Sequence, residues 1–157
     1  MTKPVLDVCC GSRMFWFNKK NPNVVYMDNR ILSDTLCDGR ELHITPDVVG
    51  DFRDIPFDDK SFNLVVFDPP HLLKVGEKSW LGKKYGRLNP DTYKIDLQKG
   101  FQECFRVLKK NGVLVFKWNE TDIKTSEIIK LSPISPLFGH RSGKLSKTQW
   151  LVFMNEV

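Results

Sequence analysis

Residues 65–71, "VVFDPPH", hold the groups in this sequence best placed to act on a substrate. Val65, Val66 and Phe67 are β-branched or aromatic, as a buried strand requires. Pro69 and Pro70 cannot donate to a ladder, so the strand must stop at Asp68. A carboxylate, two rigid carbonyl-bearing residues and the imidazole of His71 then follow one another at a strand end. Two acceptors held on a stiff backbone beside a ring suit the capture of an amino group. A capped strand and a turn would need none of this chemistry.

Other acids recur at comparable places. Short apolar runs at 4–10, 24–28, 47–51, 62–68, 112–118 and 149–155 read as strands, several apolar throughout, as in a parallel sheet covered on both faces. Asp7 stands inside the first, and Asp28, Asp51 and Asp68 end the next three. Ligands of such sheets bind at the carboxyl ends of the strands. The pattern therefore predicts a cleft lined by acids, with a glycine turn at Gly11.

The elements that must position these residues follow from periodicity. Tyr93, Leu97, Phe101, Cys104, Phe105 and Leu108 recur at three- and four-residue spacing, predicting a helix over 91–110 that Asn111-Gly112 stops. Shorter helices are expected at 12–20 and 121–131, and loops or single turns at 30–46 and 52–61. The C-terminal stretch reads as two strands around a Gly/Ser/Lys turn, an antiparallel hairpin closing the sheet. Alternating strands and helices give an α/β, doubly wound, mostly parallel Rossmann-like sheet. At 157 residues, without repeats or a linker, a single domain over 1–157 is expected.

Composition narrows the class. No apolar run approaches the ~20 residues of a membrane span, and "MTKPVLDVCC" has no signal-peptide layout, so no membrane partner and a cytoplasmic location are expected. Cys9 and Cys10 are adjacent and Cys37 and Cys104 stand alone, which is not zinc-ligand spacing, so no metal is expected. Cys9 and Cys10 would point to opposite faces of a strand as small packed residues. The net charge of +5 is uneven. Lys74, Lys78, Lys83, Lys84 and Arg87 crowd a stretch that carries Trp80 and Tyr85 and only Glu77 in opposition; His140, Arg141, Lys144 and Lys147 form a second group. Bases interleaved with aromatics beside a candidate site fit a polyanion with stackable bases.

Taken together, "VLDVCCGS", Asp28, "GDFRDIPFDDKSFNLVVFD" and "DPPH" resemble the class I S-adenosylmethionine-dependent methyltransferases, over Val5 to Phe153. "DPPH" is similar to the D-P-P-Y/F/W motif of the amino methyltransferases, with His71 at the aromatic position. The resemblance implies S-adenosylmethionine as cofactor, bound by Asp7, Cys9, Gly11, Arg13, Asp28, Asp51, Phe52 and Asp68. Asp28 would meet the ribose hydroxyls and Asp51 the adenine amino group, with Phe52 and Arg53 flanking the ring. Arg13 stands where many members have a second glycine; it would put a cation near the cofactor carboxylate or mark an altered pocket.

The same resemblance implies catalytic roles for Asp68, Pro69, Pro70 and His71. Asp68 and the Pro69 carbonyl would each accept an N–H of the target amine, aiming its lone pair at the methyl group. His71 would stack on the base or take a proton. Residues 72–90 would be a lid or a plain surface loop, with Trp80, Lys83, Lys84, Tyr85 and Arg87 contacting substrate; Trp118 would line the pocket or belong to the core. The implied activity is methylation of an exocyclic amine of a nucleic-acid base, adenine N6 in DNA ahead of RNA or a small-molecule amine. A catalytically decayed binding module is the competing class. A homodimer or a specificity partner would supply sequence recognition. "GSRMFW" lacks the G-x-G-x-x-G of a nicotinamide enzyme.

Overall fold

A computed structural model describes residues 2–76 and 79–157; Glu77 and Lys78 of the first basic group lie outside the described residues. In chain order the strands are β1 (Val5–Asp7), β2 (Val24–Asp28), β3 (Leu32–Thr35), β4 (Glu41–Ile44), β5 (Val48–Val49), β6 (Phe62–Phe67), β7 (Leu108–Asn119), β8 (Phe138–Arg141) and β9 (Thr148–Met154). The helices are α1 (Trp80–Tyr85), α2 (Tyr93–Val107) and α3 (Thr125–Ile129). Seven strands form one sheet in the order β5-β2-β1-β6-β7-β9-β8, while β3 and β4 pair separately. β9 runs antiparallel to both β7 and β8. The sheet and its C-terminal hairpin are as expected. Strand order reverses between β1 and β6, and the crevice that such a reversal opens is where ligands of these sheets bind.

The alternation of side chains sorts the two faces. Leu6, Met27, Val65, Phe67, Leu114, Phe116, Leu151 and Phe153 join Leu97, Phe101, Cys104 and Val107 of α2 in the main core. The three- and four-residue spacing that predicts α2 is therefore its buried stripe. At Gly100 a Cβ would lie 2.7 Å from both Phe52 and Phe67, so only glycine lets α2 approach the rings that back the cleft. α2 ends three residues earlier than expected. Leu108 already pairs with Phe62, and the Asn155 side-chain amide donates to the Leu108 carbonyl at 3.0 Å, satisfying a helix-end acceptor.

Cover on the opposite face is sparse. The expected helix over 12–20 is a series of turns, because its consecutive apolar side chains serve different neighbours. Trp16 packs edge-on to Tyr26 at 5.3 Å, Phe15 meets Trp150 at 5.3 Å, and Phe17 is fully exposed. No single helical stripe could do this. The expected helix at 121–131 is reduced to α3, and β1 is shorter than 4–10 because the chain turns at Val8 and Cys9. The expected loop at 30–46 is the β3–β4 hairpin, whose Leu36, Leu42 and Ile44 bury together around a turn with Gly39 at φ 84°. Exposed Glu41 and His43 alternate with buried Leu42 and Ile44, but four residues are too few for that alternation to stand out in the sequence.

Candidate active site

The cleft opens at the carboxyl ends of β1, β2, β5, β6 and β7. Cys9, Gly11, Asp28, Phe52, Asp68, Pro69, Pro70, His71, Lys84, Tyr85 and Arg87, all expected there, line it. Phe15, Arg30 and Lys117, not assigned a role from sequence, line it too.

At the β2 end, Asp28 is 5% exposed and accepts the Gly11 N–H on Oδ2 at 2.9 Å. Its Oδ1 accepts the Arg30 backbone N–H at 3.0 Å and, more loosely, Arg30 Nε at 3.3 Å. Three of the roughly four lone-pair sites of the carboxylate are thus used. Gly11 sits at φ 51°, and nothing occupies the space where its Cβ would stand, so the backbone is open to a ligand. Arg13 also has a positive φ, 60°, the backbone that a glycine would accept without strain.

Several expected positions are corrected by the structure. Arg13 turns away from the cleft: its guanidinium lies 3.8 Å over the Tyr26 ring and donates to the Thr45 carbonyl at 2.8 Å, so it places no cation beside the cleft. Asp7 is fully buried behind the cleft, accepting the Trp16 indole N–H at 2.7 Å. Asp51 is occupied by Arg53, with Nη2 at 2.6 Å from Oδ2, and only its neighbours Gly50 and Phe52 line the cleft. Lys83 is spent on Asp34 of the hairpin at 2.7 Å, and Trp80 lies outside the cleft with Lys84 Nζ 5.4 Å from its ring. Trp118 belongs to the core: it is 1% exposed, and its indole N–H donates to the Ile123 carbonyl at 2.9 Å. Each placement turns on where a side chain points, which local pattern does not carry; for Trp118 it selects the core from the two expected places.

Of the stretch 72–90, the described residues on both sides of 77 and 78 are tied down by hydrogen bonds. Ser79 Oγ caps α1 by accepting the Gly82 N–H at 3.0 Å, and the Leu88 N–H returns to the Leu72 carbonyl at 2.9 Å. Asp122 holds the Leu73 N–H at 2.7 Å, while Arg30 Nη1 donates to the Lys83 carbonyl at 2.8 Å. Arg30 therefore links the Asp28 carboxylate to α1. The end of α1 and the residues after it line the cleft, which brings Tyr85 within 5.8 Å of the His71 ring.

At the β6 end, Asp68 keeps 22% of its side chain accessible and faces Lys117 Nζ at 3.4 Å. Burial pushes its carboxyl up to about 6, against the opposing pull of Lys117. His71 is held down at about 4, by burial first and by the Lys117 charge second, so its ring is neutral near pH 7. Burial likewise raises the Cys9 and Cys10 thiols, Cys10 to about 12, which leaves neither as a thiolate nucleophile. Among the described residues no cluster of His, Cys, Asp and Glu could hold a metal ion, and no helix is long and apolar enough to cross a membrane.

Asp7 is raised from 3.8 to about 7 by burial, with the Asp68 and Asp28 charges adding to it and the Trp16 hydrogen bond opposing. Its folded pKa exceeds the unfolded one, so folding takes up a proton between about pH 4 and pH 7, and stability falls as pH rises through that window. Above it the cost of the buried charge is complete, on the order of a few kcal/mol. Asp7→Asn is expected to raise the denaturation midpoint at pH 8 and to flatten the pH dependence between 4 and 7. A variant tracking the wild type at every pH would show that the buried charge is not what costs stability.

No family model matches the sequence, and no curated protein matches it. Solved structures do. The chain is similar to the N-methyltransferase NodS from Bradyrhizobium japonicum at 13% identity and a TM-score of 0.62, over 99% of this chain and 86% of that one. It is similar to the PH0226 protein of Pyrococcus horikoshii at 15% identity and a TM-score of 0.57, over 96% and 81%. It is also similar to an S-adenosylmethionine-dependent methyltransferase from Methanosarcina mazei at 11% identity and a TM-score of 0.51, over 98% and 93%. At such identities the likeness is one of fold. The chain has the Rossmann-like fold of the class I methyltransferases, with three helices among the described residues.

Proposed function

We propose that this chain is a cytoplasmic S-adenosylmethionine-dependent N-methyltransferase, one domain over 1–157, acting on an exocyclic amine of a nucleic-acid base, adenine N6 in DNA ahead of RNA. The observation that carries the reading is Asp68 at the end of β6. It is partly accessible, followed by Pro69 and Pro70, pairs with Lys117, and lines the same cleft as the His71 and Tyr85 rings.

The cleft fits the cofactor on its own evidence. Asp28 keeps one acceptor site and can release the long Arg30 Nε contact for a second, which suits a ribose diol. Gly11 leaves the backbone open, and Phe52 offers an apolar wall for a planar ring. When bound, S-adenosylmethionine supplies an electrophilic methyl group on a sulfonium centre.

The chain's own residues then prepare the amine. An aromatic amine donates its lone pair into its ring and is a poor nucleophile. Asp68 and the Pro69 carbonyl each accept one N–H, which draws the nitrogen toward tetrahedral geometry and directs its lone pair outward. The prolines hold the acceptors in place before substrate arrives, so little reorganisation is needed. As the nitrogen gains positive charge the carboxylate bond strengthens, and Asp68 can hold the released proton. Neutral His71, with Tyr85, offers ring surface for the base. Lys84 and Arg87 at the mouth suit a phosphate backbone, and a partner protein or a second copy supplies any sequence preference.

The test is transfer of label from methyl-labelled S-adenosylmethionine to separate pools of DNA, tRNA, rRNA and small amines, followed by nucleoside analysis of the labelled pool. N6-methyladenosine, as deoxynucleoside or ribonucleoside, is the expected product. Label in small amines alone rules out the nucleic-acid substrate, and no label in any pool rules out the enzyme.

A further inference from the structure

From Ile128 to Asn155 the chain carries Lys130, Arg141, Lys144 and Lys147, together with His140, and no Asp or Glu. The β8–β9 hairpin places most of this charge beside the cleft. β9 runs against β7, with Thr148 opposite Asn119, so the 142–147 turn lies at the same end of the sheet as Asp68. The Glu120 N–H ties that turn down by donating to the Lys147 carbonyl at 3.0 Å.

Register then aligns a row on one face. Lys117 is opposite Trp150, and Trp150 is opposite His140, so the three side chains stand on the same side of the sheet. Trp150 is half-buried, and its indole N–H donates to Ser142 Oγ in the hairpin turn at 3.1 Å. Phe15 lines the cleft and meets Trp150 at 5.3 Å; Lys117 Nζ lies 5.3 Å from one ring and 5.6 Å from the other. Aromatic surface thus continues from the wall of the cleft to the hairpin. Lys144 and Lys147 are exposed in the turn beyond it, while Arg141, next to His140, alternates to the other face and lies 3.7 Å from Glu120 Oε1.

We infer that the β8–β9 hairpin is a second binding wall for a single-stranded polynucleotide, which enters beside Lys84 and Arg87 and leaves over Trp150 toward Lys144 and Lys147. This rests on the nucleic-acid reading of the cleft. A base must leave its stack to present its amine to Asp68, so the strand around it is unpaired there. A flanking base can then stack on Trp150 while its phosphates meet the hairpin lysines, the pairing of stacking and charge found in single-strand binders. Here the sheet row, not a groove, provides both.

The experiment measures binding of labelled single-stranded DNA and RNA of one sequence by fluorescence anisotropy across a salt series. Lys144→Gln/Lys147→Gln is expected to weaken binding and to flatten the slope of log K against log salt by about 1.4, two phosphate contacts at ~0.7 each. Trp150→Leu is expected to weaken it roughly 5- to 100-fold through lost stacking. S-adenosylmethionine affinity, measured by calorimetry, should stay unchanged in both. The DNA and RNA arms identify which strand the wall serves. If the lysine pair leaves slope and affinity unchanged while Lys84→Gln/Arg87→Gln lowers both, the hairpin is ordinary surface and the cleft reading stands. If the wild type retains neither strand, the nucleic-acid reading falls and this inference with it.

Discussion

Asp68→Ala is expected to lower the methyl-transfer rate about 100- to 1,000-fold, the usual cost of losing one preorganised electrostatic partner. The fold should survive, because the carboxylate faces the cleft and the side chain it pairs with, Lys117 at 3.4 Å, is itself partly exposed. The pH dependence gives a second readout. The Asp68 carboxyl sits at about 6 and must be ionised to accept the amine, so the single-turnover rate should be level above about pH 7 and fall as pH drops through 6. His71, held at about 4, is a weaker base than Asp68 at about 6, which favours stacking over proton transfer. His71→Phe should therefore keep much of the activity and the same pH profile. A fully active Asp68→Ala enzyme would end the amine-methylation mechanism. A dead His71→Phe enzyme that still binds both substrates would give the imidazole the proton instead.

Asp28→Ala is expected to weaken S-adenosylmethionine binding roughly 10- to 150-fold, the equivalent of about 1.5–3 kcal/mol for charge-assisted hydrogen bonds. The carboxylate also orders the Gly11 turn and anchors Arg30, whose Nη1 reaches the Lys83 carbonyl. Loss of affinity should therefore be accompanied by greater protease access to 79–88. Calorimetry on Asp28→Ala and Asp28→Asn separates the effects. The amide keeps an acceptor for the Gly11 N–H but gives up the charge. Unchanged affinity in both variants would remove Asp28 from the ribose site.

The strands and the acids that end them were legible in the sequence because their signals are local. Apolar runs of β-branched residues, a proline that stops a ladder and a glycine turn each act within a few positions. α2 was legible for the same reason, since its buried stripe repeats every three or four residues. The β3–β4 hairpin was not, because its strands of only four residues are too short for their apolar/polar alternation to stand out. Nor was the missing helix at 12–20, where adjacent aromatics answer to Tyr26 and Trp150, far along the chain.

The site divides in the same way. Asp28, Gly11 and "DPPH" line the cleft because strand ends lead there by topology, but Asp7 and Asp51, also at strand ends, are off its wall, so topology brings the backbone and not every side chain. The directions of long side chains were decided by tertiary packing. Arg13 turns to a carbonyl 32 residues away, Lys83 to an aspartate 49 residues away, and Lys117 joins Asp68 across another 49. A flexible charged side chain takes whichever partner folding brings within reach, and short-range pattern holds no record of that partner. The motif was therefore written in the sequence, while the electrostatic setting of Asp68 came only with the fold.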